Sequence, residues 1–183
     1  MKDKIILSTV SAWELGDQFE SAQAQKNEAL REAKVAKLDG DLSENAPYQA
    51  AKEKFRTMGR IQRRLTGEMD HLLNEGHRLV DPLTWVNDSV PEAVELGAVV
   101  VIDLDGEREK FLVAGARDHH VPNEGDILPL PYTSPLGHAL MGKHPKESFS
   151  VTIREATRRV HVHSVRRPTR EEILAIFPAL KEG

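Results

Sequence analysis

The chain of 183 residues contains no cysteine, which excludes disulfides and thiolate metal sites and is compatible with a reducing cytoplasm. It has no apolar run long enough to span a bilayer, and Ile5-Ile6-Leu7 is too short for the core of a signal peptide, so a soluble cytoplasmic protein with no membrane association is expected. It also lacks a strong charge of either sign. A formal net charge of −4 excludes a generally basic nucleic-acid binder and confines any nucleic-acid contact to a local patch.

What is present is a repeated spacing. Leu15, Phe19, Ala22, Lys26, Ala29, Ala33 and Ala36 recur at alternating steps of four and three, and Tyr48, Ala51, Phe55, Met58, Gln62, Leu65, Met69 and Leu72 do the same. Both are seams of an antiparallel two-helix coiled coil. Lys26 and Gln62 are its polar exceptions, of the kind that fixes register. A helix of about 28 residues would be roughly 40 Å long, enough to enter a deep channel.

Between the seams, Gly40-Asp41-Leu42-Ser43-Glu44-Asn45 places two carboxylates at the tip of the arm. Gly40 is expected to end the first helix, and Pro47 fits the opening turn of the second. Asp41 with Glu44 three residues later reads as a capping box. The same two acids also suit a shared metal site, because Mg²⁺ takes one or two protein carboxylates and completes its shell with water and phosphate. The two readings are compatible. Lys52, Lys54, Arg56, Arg60, Arg63 and Arg64 on the second helix, with Arg31, Lys34 and Lys37 on the first, read either as a solvated exterior or as a face for phosphates.

Residues 1–78 are therefore expected to form the arm, 79–91 a linker and 92–183 a compact α+β module. Ala98 to Leu104 leads through Asp105-Gly106 into Lys110 to Ala114, a hairpin pattern. Ser134-Pro135 opens a short helix, and Phe149 to Ile153 and Arg159 to Val165 alternate as strands, making a small antiparallel sheet carrying one helix. Thr169 and Glu172 form a capping box for an additional C-terminal helix. His119-His120 and His161-x-His163 are weak metal signals without a third spaced ligand.

Gly40 to Tyr48, followed by Ala50-Ala51-Lys52-Glu53, resembles the tip motif of bacterial transcript cleavage factors of the GreA/GreB family. Ser134-Pro135-Leu136-Gly137-His138-Ala139-Leu140-Met141-Gly142-Lys143 resembles the helix motif of that family's C-terminal domain. Leu96 to Val100, Asp105-Gly106 and Phe111 to Gly115 are similar to its strand segments. The likeness covers about residues 12 to 155.

The resemblance implies an FKBP-like C-terminal domain and a factor, monomeric when free, whose arm enters the secondary channel of RNA polymerase. There Asp41 and Glu44 would share a Mg²⁺ ion with the polymerase and stimulate its own cleavage of backtracked RNA, so the chain would be an activator rather than an enzyme. On this reading Lys52, Lys54, Arg56, Arg60, Arg63 and Arg64 would meet the RNA 3′ end, a density closer to the GreB branch. Ser134, Pro135, Leu136 and Lys143 would dock on the polymerase. Two rivals are a Gre-like channel-binding regulator or inhibitor without cleavage, and an FKBP-type peptidyl-prolyl isomerase. Against the isomerase, the domain offers few aromatics: Trp85, Phe111, Tyr132, Phe149 and Phe177. The chain departs from the family at Ser11 to Leu15, where the usual opening of the first helix is absent, and in its C-terminal helix.

Overall fold

The computed structural model describes residues 5–39, 45–74, 76–121 and 123–181. Strand β1, Ile6–Ser8, runs directly into helix α1, Thr9–Ala36, and helix α2 spans Ala46–Asn74. The chain divides into two compact units, Trp13–Gly76 and a second made of Met1–Ala12 with His77–Gly183.

In the first unit every residue of both seams is buried or half-buried. Lys26 Nζ donates to Gln62 Oε1 at 2.8 Å, and Lys54 pairs with Glu32, so positions rise along one helix as they fall along the other, as in an antiparallel hairpin. The two polar exceptions in the seams thus meet each other. Gln62 is 7% exposed and its amide also donates to Gln23, which satisfies a group whose burial alone would be costly. Leu15, Ala22 and Leu65 pack with Phe19, Ile61, Met69 and Leu72, all but Ile61 on the side of this layer away from the turn. On the side toward the turn the most buried positions are alanines, Ala29, Ala36 and Ala51, which permit close helix approach. Gly76, with φ of +64°, follows the end of α2, as a terminating glycine should.

The second unit holds strands β2 (Arg78–Val80), β3 (Val99–Leu104), β4 (Glu107–Ala114), β5 (Leu128–Pro131), β6 (Ser148–Ile153) and β7 (Ala156–Arg166), with helices α3 (Pro135–Leu140) and α4 (Arg170–Ile176). β1 pairs with β2 in parallel, and the other five form one sheet in the order β5-β4-β3-β7-β6. Asp105 and Gly106 both take positive φ and close the β3–β4 hairpin. Ser134 caps α3 by accepting the Gly137 N–H, with Pro135 at the first helical position.

Both faces of the sheet are covered. Val100, Ile102, Val113, Val160 and Val162 face Leu136 and Leu140 of α3. Val99, Leu112 and Ala114 face Trp85, Val10 and the apolar side of α4, where Ile173, Ile176 and the following Phe177 are fully buried. The C-terminal helix is thus part of the core. Thr169 and Glu172 form its capping box, and the Glu172 carboxylate takes both Arg166 guanidinium nitrogens at 2.6 and 2.7 Å. The stretch read as a linker carries β2 and a 3-10 turn, Pro82–Trp85, that delivers Trp85 to the core. Gly97 is needed beside it: its φ is +80°, and a Cβ there would fall 2.3 Å from Trp85 Cγ.

Candidate functional site

The two helices of the arm are joined at their turn by one side chain. Asn45 Oδ1 accepts the Tyr48 N–H at 3.0 Å, capping α2, while Asn45 Nδ2 donates to the Ala36 carbonyl at 2.6 Å, one of the last acceptors of α1. Pro47 takes the second position of α2, where its missing N–H leaves no partner unsatisfied. The helix therefore starts at Ala46 with Asn45 as its cap, which corrects the reading of Asp41 and Glu44 as the capping box of α2. Gly40, Asp41, Leu42, Ser43 and Glu44 lie outside the described residues.

The basic residues do not all share one groove. Arg56, Arg60 and Arg63, with Lys26 from α1, line a groove of about 470 Å³ whose remaining walls are Glu53, Phe55 and Gly59. Lys26 Nζ stands 5.5 Å from the Phe55 ring centre. Arg64 lies in a different groove beside Glu14 and Asp17. Lys54 is turned to Glu32 at 3.3 Å, and Lys52 lies over the Tyr48 ring. Spacing at 100° per residue sets Lys54 well away from Arg56, Arg60 and Arg63 but leaves Lys52 on their side, so the division comes from local partners as much as from helix geometry.

Of the proposed docking residues, Leu136 is 7% exposed in the core and is unavailable to a partner, because α3 turns that side chain onto the sheet. Ser134 spends its hydroxyl on the helix cap, Lys143 pairs with Glu147 and overlies Phe149, and Pro135 is exposed. Trp85 and Phe177 belong to one core cluster, and Phe111, Tyr132 and Phe149 pack on the other, so these aromatics do not form an open proline pocket.

The histidines are engaged locally. His163 Nε2 lies 2.5 Å from Asp103 Oδ2, and this hydrogen bond holds the Asp103 carboxyl below its ordinary value; His161 Nδ1 lies 2.8 Å from Ser148 Oγ. Among the described residues no group of three His, Asp or Glu side chains is placed to hold a metal.

One buried acid carried no sequence signal. Asp118 is fully buried beside the start of α1, where it accepts hydrogen bonds from the Ser8 hydroxyl and, at 2.6 Å, from the Gly115 N–H. Ser8 in turn caps α1 by accepting the Ser11 N–H at 3.0 Å. Burial pushes the Asp118 carboxyl above its ordinary value, and the hydrogen bonds only partly oppose it.

Two family models match consecutive parts of the chain. Residues 6–75 match "Transcription elongation factor, N-terminal" and residues 89–167 match "Transcription elongation factor, GreA/GreB, C-term", which leaves α4 beyond the matched span. Transcription elongation factor GreA of Nautilia profundicola is 36% identical over 127 residues, 69% of this chain and 71% of that protein. GreA of Thermodesulfovibrio yellowstonii is 39% identical over 63% of this chain and 66% of its own length. The solved structure of GreA factor homolog 1 of Thermus thermophilus aligns with 90% of this chain and 99% of its own, at 19% identity and a TM-score of 0.34. Both quoted relatives carry the GreA name. A helical hairpin followed by a two-faced sheet domain, matched in order by both family models, makes this chain a member of the GreA/GreB family of transcription elongation factors.

Proposed function

We propose that the arm enters the secondary channel of RNA polymerase and stimulates the polymerase's own cleavage of backtracked RNA, with Asp41 and Glu44 delivered to the active site. The observation that carries this reading is the cap at Asn45. With α2 capped by another residue, the two acids are not required to start the helix, which supports reading them as groups for a partner. Their donor set fits a hard cation: paired carboxylate oxygens suit Mg²⁺, and two are too few for a stable site until polymerase and RNA add theirs. When bound there, the ion would neutralise charge at the scissile phosphate. Asp41 would contact the metal, and Glu44 the metal or the attacking water. The groove lined by Arg56, Arg60 and Arg63 would hold the phosphates of the RNA 3′ end, and the exposed side of α3 would meet the polymerase surface.

On this reading the chain is a monomeric cytoplasmic activator rather than a nuclease. The test is RNA shortening in backtracked polymerase complexes, comparing the native chain with Asp41→Asn/Glu44→Gln. Because Asn45 is untouched, the variant should fold and bind polymerase as before, yet lose stimulation by about a hundredfold. No stimulation by the native chain despite channel binding would instead mark a regulator that occupies the channel without cleaving.

A further inference from the structure

The groove on α2 contains four cations and one acid, and the acid sits among them. Glu53 Oε1 lies 2.9 Å from Arg60 Nη2, two turns along the helix, and Glu53 Oε2 lies 3.9 Å from Arg56 Nη1. Thr57 completes the set, accepting from Arg60 Nη2 at 3.0 Å. The three charged side chains are each about 60% exposed, so water and solutes reach them. Gly59 lines the groove and is itself buried, an added Cβ there making ordinary contact with Arg63 Nη1 at 3.8 Å.

A carboxylate hydrogen-bonded to one guanidinium and set beside a second occupies the place a phosphodiester would take, since both anions accept the same N–H donors. We propose that Glu53 is a built-in competitor for this groove: it neutralises Arg56 and Arg60 in the free protein and is displaced when a phosphate of single-stranded RNA arrives. This rests on the reading of the groove as an RNA contact and adds the element that regulates it. Exposed ion pairs are weak, so Glu53 yields readily where other contacts already hold the RNA, and it suppresses indiscriminate binding elsewhere. Lys54, paired with Glu32 outside the groove, takes no part.

The experiment measures binding of the full-length protein to a short, end-labelled single-stranded oligoribonucleotide by fluorescence anisotropy, over a range of salt. Glu53→Gln should tighten binding roughly two- to fivefold. It should also steepen the dependence of log K on log salt by about 0.7 for each further phosphate that the freed guanidiniums neutralise. Arg56→Gln/Arg60→Gln should weaken binding and become insensitive to an added Glu53→Gln, while Lys54→Gln should match the native chain. Binding unchanged or weaker in Glu53→Gln, with the arginine variant still impaired, overturns the competitor and leaves the RNA groove standing. An arginine variant that binds like the native chain, or no binding by any variant at low salt, overturns both.

Discussion

The arm and the sheet unit stabilise themselves in opposite ways. The sheet unit buries large side chains on both faces, with Ile173, Ile176 and Phe177 closing one and Leu136 and Leu140 the other. The arm has a single seam, and toward the turn its buried seam positions are the alanines Ala29, Ala36 and Ala51, while Tyr48, Phe55 and Met58 there are only half-buried. At about 25 cal/mol per Å² of apolar surface, alanine seams contribute far less than a core of Phe, Ile and Leu. A slender probe cannot also be a heavily packed one. The arm spends its sequence on shape and charge, the sheet unit on apolar burial.

That contrast can be tested with the chain's own two tryptophans, Trp85 buried against Phe177 and Trp13 in the arm at 55% exposure. Phe177→Ala should cost the sheet unit about 3–5 kcal/mol in urea unfolding followed by Trp85 fluorescence in a Trp13→Phe background. An equal loss from Ala29→Gly in the arm, expected near 1 kcal/mol, would break the comparison.

A smaller effect is expected at α4. Glu172→Gln should cost about 1–2 kcal/mol by weakening the bidentate pair with Arg166. Because the Arg166 hydrogen bonds hold the Glu172 carboxyl below its ordinary value, this stability is present above the unfolded-state value and lost as pH falls through the lower folded one. The Gln variant should lack that acid-side decline. Asp118 runs the other way: its raised value means the folded state binds the extra proton, so its contribution falls as pH rises between the ordinary and raised values. Comparing unfolding of the native chain with each variant across acidic pH separates the two signs.

Least in energy is the polar layer of the arm. Lys26→Leu/Gln62→Leu should stabilise the hairpin by about 1 kcal/mol, read from helical ellipticity on heating, while loosening its register enough to permit dimers in sedimentation experiments. Loss of stability instead would make the Lys26–Gln62–Gln23 contacts a net support of the arm rather than a device for alignment.

Most of the arm and much of the sheet were legible because local chemistry and tertiary packing agree there. The seam positions are those that pack, the turn at Asp105-Gly106 needs positive φ, and Ser134 and Thr169 cap the helices their spacing announces. Where long-range packing decides, the sequence is silent. β1 and β2 are three residues each and pair in parallel across the whole arm, so neither has a pattern of its own. β5 contains Pro129 and Pro131, residues that argue against a strand and are tolerated because it lies at the sheet's edge. Asp118 looks like any loop acid until the fold buries it. At the turn, Asp41, Ser43 and Asn45 are all competent caps, and propensity alone does not say that Asn45 is chosen. Leu136 sits in a motif that invites a surface role, yet the short helix must bury one side.

The parallel pairing of β1 with β2 makes the arm an insertion within the sheet unit: Ile5 donates to His77 across 72 positions, and all of the arm lies between. Closing so long a loop is entropically slow if the chain between is disordered, because the cost grows with the logarithm of its length. The helical hairpin, built from contacts nearer in sequence, forms faster and brings the two ends together before the sheet needs them. On this order of events the arm assists the folding of the sheet unit, and changes in its seam should alter the folding rate of that unit.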